Sequence, residues 1–419
     1  MTFISADEIA RIALAVLLLL SSAYLFGYLF EYAKMPKVVG EITGGIVLGP
    51  SLLGYFSPAT YGWVFDAFAV QGQALSVFYW FGLILLMFIS GLEQEKWEEG
   101  LDRTLIVSLI AASTAVPIGL GYAAAGFVGM EALIGAKQSV PAIKIIFAIS
   151  MAITSIPVIS KIFLDIGIMR TRFAKTILAI AIPHDILLWI GVAVAVAIAD
   201  NQAARGAFWE DAGHSVLVVL LFFGLSVLVV PRLISKIGTS RARSMAHQSA
   251  LGLALLFCLL FVLIANFLNV NIMFGALLAG LVIGISFSGQ VAPVRENLKA
   301  FSMAFFIPLY FALVGIQINL LEDFSLFYLV VIIGLSFVFQ GIATVPVTML
   351  IKKDSKLAGN IVVSLTAKGG PGIVLATVAY EAEIVSGVFF TALVLAALVT
   401  SAIAGWWLKR QAHLIENML

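Results

Sequence analysis

Leu178 to Ala195 reads LAIAIPHDILLWIGVAVA, an apolar run of about the length that crosses a bilayer, and it sets His184 and Asp185 side by side near its middle. Counted along a helix, Asp185 lies roughly 15 Å from Lys175 and roughly 22 Å from Asp200, close to the midplane of a span bounded by those charges. An ionisable residue at that depth costs at least about 2.5 to 3.5 kcal/mol on insertion scales, so it faces a bundle interior or a watery cavity where ions or protons pass. Asp185 is therefore the residue around which the rest of the chain is read.

Composition sets the class. The chain is 62% hydrophobic and 11% charged, with a mean hydropathy of +1.10, too little polar surface to clothe a soluble globule of this length. It reads as an all-α integral membrane protein. A net charge of +1 offers no basic field for nucleic acid. The lone cysteine, Cys258, excludes an intramolecular disulfide, and no Cys/His cluster suggests a structural metal or a cofactor. The first apolar run, Ile12 to Phe30, follows Asp7 and Glu8 with Arg11 as its one basic neighbour, and no small-residue cleavage site follows it, so it is expected to stay as a helix.

Windows of about 20 residues pick out about thirteen apolar segments joined by short connectors. Basic residues occupy every second connector and the C-terminal end: Lys34 and Lys37, Lys96 and Arg103, Lys161 to Lys175, Arg232 to Arg243, Arg295 and Lys299, Lys352 to Lys356, Lys409 and Arg410. The other connectors hold Lys137, Lys144 and Arg205. By the positive-inside rule the N-terminus is expected outside and the C-terminus in the cytoplasm, in a bacterial inner membrane, with the chain forming one transmembrane domain.

An internal repeat is visible. GEITGGIVLG (Gly40–Gly49) matches GALLAGLVIG (Gly275–Gly284) at its first, sixth and tenth residues, and LLMFISGLE ending at Glu93 matches YFALVGIQ ending at Gln317. A separation of seven spans inverts the topology, and inverted repeats are a transporter signature. The expected halves are residues 8–200 and 247–410, with a linker helix at 213–236. The same offset pairs the fifth segment with the twelfth. The fifth carries Thr154, Ser155 and Pro157 at mid-depth; the twelfth carries Lys368, Gly369, Gly370, Pro371 and Gly372. Proline removes a donor and glycine weakens a helix, and freed backbone groups are tolerable in a membrane only where they line a polar cavity or are buried in protein. Two crossed, discontinuous helices forming an ion site are expected.

A carboxylate among broken-helix carbonyls and hydroxyls suits a desolvated monovalent cation, and Asp185, Thr154 and Ser155 would supply the oxygens. Asp185 can also hold a proton, which makes the two ligands mutually exclusive and exchange the natural outcome. Lys368 lies roughly 18 Å along a helix from Lys356, too deep to snorkel, and reads as balancing helix-end dipoles or pairing with Asp185. His184 is either a second proton carrier or a hydrogen-bonded structural histidine, because neighbouring residues on a helix point about 100° apart. Glu41, one turn after Lys37, and Glu93, beside Glu95 and Lys96, stay outside the core site.

These residues resemble the monovalent cation:proton antiporter family 2, the sodium/hydrogen exchanger-like transporters that include the Kef systems. The likeness rests on PKVVGEITGGIVLGPSLLG (Pro36–Gly54), LILLMFISGLE (Leu83–Glu93), the Thr154-Ser155 break, the pair at 184 and 185, and AKGGPGIVLA (Ala367–Ala376). It implies a homodimer in membrane lipid, elevator-like movement of a core bundle, and Asp185 shared by Na⁺ or K⁺ and the proton. Where electrogenic members look like Asp-Asp this chain has His184-Asp185, and Phe305–Leu320 lacks the lysine such members carry. Both differences imply electroneutral one-for-one exchange. No Kef-type nucleotide-binding domain is read within the 419 residues, and a separate cytosolic regulatory subunit is carried as one partner open to the chain. A sodium-coupled symporter of a small organic anion is the alternative, and enzymatic activity is not expected.

Overall fold

The computed structural model describes residues 5–33, 35–68, 71–92, 101–200, 208–237, 240–286 and 292–415. Lys34, Glu93, Glu95, Lys96 and Arg205 lie outside the described residues, as do the side chains of Pro157, Asp185, Lys236, Arg241 and Arg243. The fold is all helical. No strand occurs among the described residues, and one isolated bridge joins Ile134 to Val385.

Among these residues seven helices are long and apolar enough to cross a membrane, or eight if Arg295–Ala304 and Phe306–Gln317, bent by 41°, make one span. Four further apolar helices are shorter. The thirteen expected segments are therefore not all carried by full-length helices. A short segment can still be buried when neighbouring helices, not lipid, cover its ends. The chain is a multi-pass membrane protein.

The helices fall into two compact units. One gathers α1 (Ala6–Tyr32), α2 (Lys37–Leu48), α3 (Pro58–Phe65) and α4 (Gln71–Leu92) with α9 (Phe208–Gly224), α10 (Val230–Ile237), α11 (Ser240–Phe267), α12 (Ile272–Ser286), α13 (Ala292–Ala304) and α14 (Phe306–Gln317). The expected linker at 213–236 falls on α9, a π-helical turn at Leu225–Val229, and α10. Two seams organise this unit, α2 against α14 and α4 against α12. A Cβ added at Gly45 would lie 2.9 Å from the Gly315 Cα, and one added at Gly91 would lie 3.0 Å from the Gly280 Cα. Both seams thus close backbone on backbone, the packing that small residues permit where lipid gives no hydrophobic drive between helices.

The second unit gathers α5 (Arg103–Ala124), α6 (Val140–Ala152), α7 (Ile156–Asp165) and α8 (Arg172–Asp200) with α15 (Leu326–Lys352), α16 (Ser355–Thr366), α17 (Gly369–Glu381) and α18 (Gly387–Ile415). Its apolar core includes Leu105, Ile159, Phe163, Phe173, Ile177, Ile361 and Leu408, with Phe163 edge-on to Phe173 at 5.8 Å. Two segments of this unit are interrupted. The fifth segment breaks at residues 153–155 between α6 and α7, and the twelfth at Ala367 and Lys368 between α16 and α17.

Candidate ion site at two helix breaks

Each break is written locally. Ile153 turns extended at the end of α6, φ −64° and ψ 137°, and Pro157 lies in the first turn of α7, where its missing N–H costs nothing. Ala367 ends α16 in an extended conformation, φ −68° and ψ 102°. Gly369, Gly370, Pro371 and Gly372 then form the first turn of α17. Gly369 has φ +40°, a left-handed value, and a Cβ there would lie 2.8 Å from the Ser155 Cβ, so both backbone and space require glycine.

The two breaks hydrogen-bond to each other. Ser155 N donates to Ala367 O at 2.7 Å, and Thr154 Oγ1 donates to Leu365 O at 2.5 Å. Two of the last carbonyls of α16 thereby gain donors that its own helix cannot supply. At the end of α6 the donors are side chains. Lys368 Nζ donates to Ser150 O, and Gln340 Nε2 on α15 donates to Ala152 O at 3.3 Å. A cation beside a helix C-terminus is favourably placed against the macrodipole.

His184 joins the cluster from α8. Its ring is 4% exposed; Nε2 lies 2.8 Å from Ser113 Oγ and Nδ1 3.3 Å from Thr154 Oγ1. Both hydroxyls donate to carbonyls, Ser113 to Leu109 O and Thr154 to Leu365 O. Each ring nitrogen thus faces a hydroxyl oxygen, and which atom donates in each contact follows from the ring's tautomer. Thr114, Ile149, Ala152, Ile153, His184 and Leu188 line a recess of about 10 Å³, room for about one water.

Thr154, Ser155, His184 and Lys368 are thus buried in one cluster within this unit. Asp185 follows His184 on α8. Glu41 lies elsewhere, buried in the other unit with Lys37 Nζ 3.6 Å away. Sequence reasoning missed Ser113 and Gln340. The signal for Gln340 is a polar residue every fourth position of α15, Ser336, Gln340, Thr344 and Thr348, all buried in an otherwise apolar helix. Nothing in the sequence marks Ser113.

The chain is similar to known proteins over most of its length. The cyanobacterial "Na(+)/H(+) antiporter NhaS4" of Synechocystis is 25% identical over 400 residues, 93% of this chain and 94% of that protein. "Na(+)/H(+)-K(+) antiporter GerN" of Bacillus cereus is 23% identical, covering 94% of each. "K(+)/H(+) antiporter 1" of Saccharomyces cerevisiae is 26% identical over 89% of this chain, which spans 43% of the yeast protein. In fold, the chain is similar to the sodium proton antiporter MjNhaP1 of Methanocaldococcus jannaschii, with a TM-score of 0.60, 15% identity, and coverage of 99% and 98% of the two chains. The family described as sodium/hydrogen exchanger, transmembrane, matches residues 17–412, and the chain belongs to it.

Proposed function

We propose that the chain is a secondary antiporter exchanging a monovalent cation, Na⁺ or K⁺, for H⁺, with Asp185 alternating between the two. The observation that carries this reading is the pair of helix breaks hydrogen-bonded to each other, in the unit whose α8 bears the His184-Asp185 pair. Thr154 and Ser155 supply hydroxyl oxygens to the cation, and Lys368 compensates the end of α6. The relatives named above are antiporters of Na⁺, K⁺ and H⁺, which favours exchange over the organic-anion symport alternative. The reciprocal glycine seams support inverted repeats: an operation taking Gly45 to Gly280 and Gly315 to Gly91 carries one seam onto the other. Access alternates by elevator-like movement of the unit bearing the site, in a homodimer, with a cytosolic regulatory subunit where one exists. The N-terminus faces outward and the C-terminus the cytoplasm.

Exchange is electroneutral in this reading. Moving two protons per cation needs two groups that gain and lose protons in every cycle. Asp185 is one; His184 sits between two hydroxyls and Lys368 Nζ is bonded to Ser150 O, and in this reading neither changes its protonation during the cycle. Proteoliposomes with a trapped pH dye test both statements. A Na⁺ or K⁺ gradient is expected to move protons, and imposing a voltage with potassium and valinomycin is expected to leave the Na⁺-driven flux unchanged. Proton-silent vesicles would sink the antiport reading; a voltage-sensitive flux would sink one-for-one exchange and make His184 the next residue to mutate.

A further inference from the structure

Gln340 has no part in the ion chemistry above, yet it is a fully buried carboxamide on α15 that reaches two other helices. Its Nε2 donates to Ser113 O and to Ala152 O, each at 3.3 Å. Neither acceptor is arbitrary. Ser113 O would ordinarily accept the N–H of residue 117, but residue 117 is Pro117, inside α5, and has none. Ala152 O is the last carbonyl of α6 before the break. One carboxamide therefore serves two carbonyls that two different helix irregularities have orphaned. Turning the amide over would point its oxygen at both carbonyls, so the neighbours fix its orientation, and Oε1 is left buried with no hydrogen-bond partner among the described residues.

The contacts close a circuit. From Gln340 it runs to Ser113, whose hydroxyl meets His184 Nε2; from His184 Nδ1 to Thr154; and from Thr154 back two residues to Ala152 and Gln340. Helices α15, α5, α8 and the end of α6 are tied in one loop. Thr154 and the residue before Asp185 are both members of it.

We propose that Gln340 is a positioning residue for the cation: it clamps α5 to the end of α6, and so holds Thr154 in register with the His184-Asp185 turn of α8. The inference rests on the antiport reading for which ion is positioned, but the clamp itself is a matter of hydrogen bonds. Gln340→Glu keeps the shape but, buried against two carbonyls, takes up a proton and has one O–H to give where the amide gives two N–H, so at least one carbonyl goes without. Gln340→Met removes the polar group altogether. In proteoliposomes of the full chain, both are expected to raise the half-saturating Na⁺ or K⁺ concentration about tenfold while the maximal rate stays within about twofold, since ligands lose alignment but not identity. A merely structural role would lower yield and maximal rate together and leave half-saturation alone.

Pro117→Ala sharpens the test, because it restores an N–H four residues after Ser113. In that background Gln340→Met exposes one bare carbonyl instead of two, and the rise in half-saturation is expected to shrink to about threefold. Should Gln340→Met alone not assemble, the double variant carries the measurement. Wild-type half-saturation in Gln340→Glu, or an equal loss with and without Pro117→Ala, overturns the proposal. If the wild type itself moves no protons, the antiport reading fails separately, and the clamp is then read from melting curves. Added Na⁺ or K⁺ is expected to raise the melting temperature of the wild type and to raise that of Gln340→Glu only at higher concentration; identical cation dependence overturns it.

Discussion

At Gly45 and Gly315 two helices run past each other with nothing between their backbones; at Ser155 and Ala367 two helices stop and bond through their loose ends. Both are answers to one constraint, that a backbone in lipid finds no water to satisfy it. The first keeps every helical hydrogen bond and removes side chains. The second gives up helical bonds and brings in Thr154, Lys368 and Gln340 to replace them. Glycine seams leave no group that can bind an ion, whereas broken helices leave carbonyls, hydroxyls and an ammonium close together. The difference separates a unit closed by packing from the unit proposed to hold the ion, and it can be broken by substitution.

The largest effect is expected from Asp185→Asn, which should abolish cation-driven proton flux while the purified protein keeps its melting temperature. The amide keeps the shape but neither releases a proton nor neutralises a cation. Retained flux would move the site away from α8. Next come the seams. Gly45→Ala and Gly280→Ala each force a Cβ into the opposing backbone and should cost about 1 to 3 kcal/mol of stability, read as a fall in melting temperature. Protein that still folds is expected to keep the wild-type half-saturating cation concentration. A seam variant that shifts cation affinity with unchanged stability would erase the distinction between the units. Thr154→Ala should do the reverse, raising half-saturation about tenfold through loss of one oxygen ligand with little change in melting. Unchanged half-saturation would count against Thr154 as a ligand.

Much of this was legible in the sequence, for reasons that differ between the units. The glycine matches at 45 and 280 were readable because a close crossing tolerates one residue type at a fixed spacing. The breaks were readable because Pro157 and the Gly369–Gly372 run cannot hold a straight helix. What replaces the lost bonds was not readable. Gln340 acts on carbonyls 227 and 188 residues away, and Thr154 on one 211 residues away, pairings that only the tertiary fold creates. The number of full spans was also hidden, because hydropathy marks α2 and α12 as apolar without showing that other helices cover them. For His184, the 100° rule left its direction open; the ring is turned to Ser113 and Thr154.

The smallest effect tests the same contrast at the edge of the second unit, where a charge serves packing only. Asp102 caps α5 by accepting from Leu105 N at 3.1 Å, and its other oxygen lies 2.8 Å from Lys352 Nζ at the end of α15. The Lys352 hydrogen bond first, and the Leu105 amide second, hold its carboxyl below the ordinary 3.8. A carboxyl depressed by folding contributes stability that is fully present above its unfolded value and is lost as pH falls through the folded one. Both partners are about a third exposed, so solvent screens the pair and Asp102→Asn, which keeps the cap, should cost only about 0.5 kcal/mol at neutral pH. That difference should start to fall near pH 3.8 and be lost only as pH drops further, through the depressed folded value, and it should shrink in high salt, while exchange stays at wild-type half-saturation. Asp102→Ala loses the cap as well and should cost about 1 kcal/mol more. If Asp102→Asn instead altered cation affinity, ion chemistry would extend to the end of α5, and the polar groups of this unit could not be divided into those that bind the ion and those that only hold helices together.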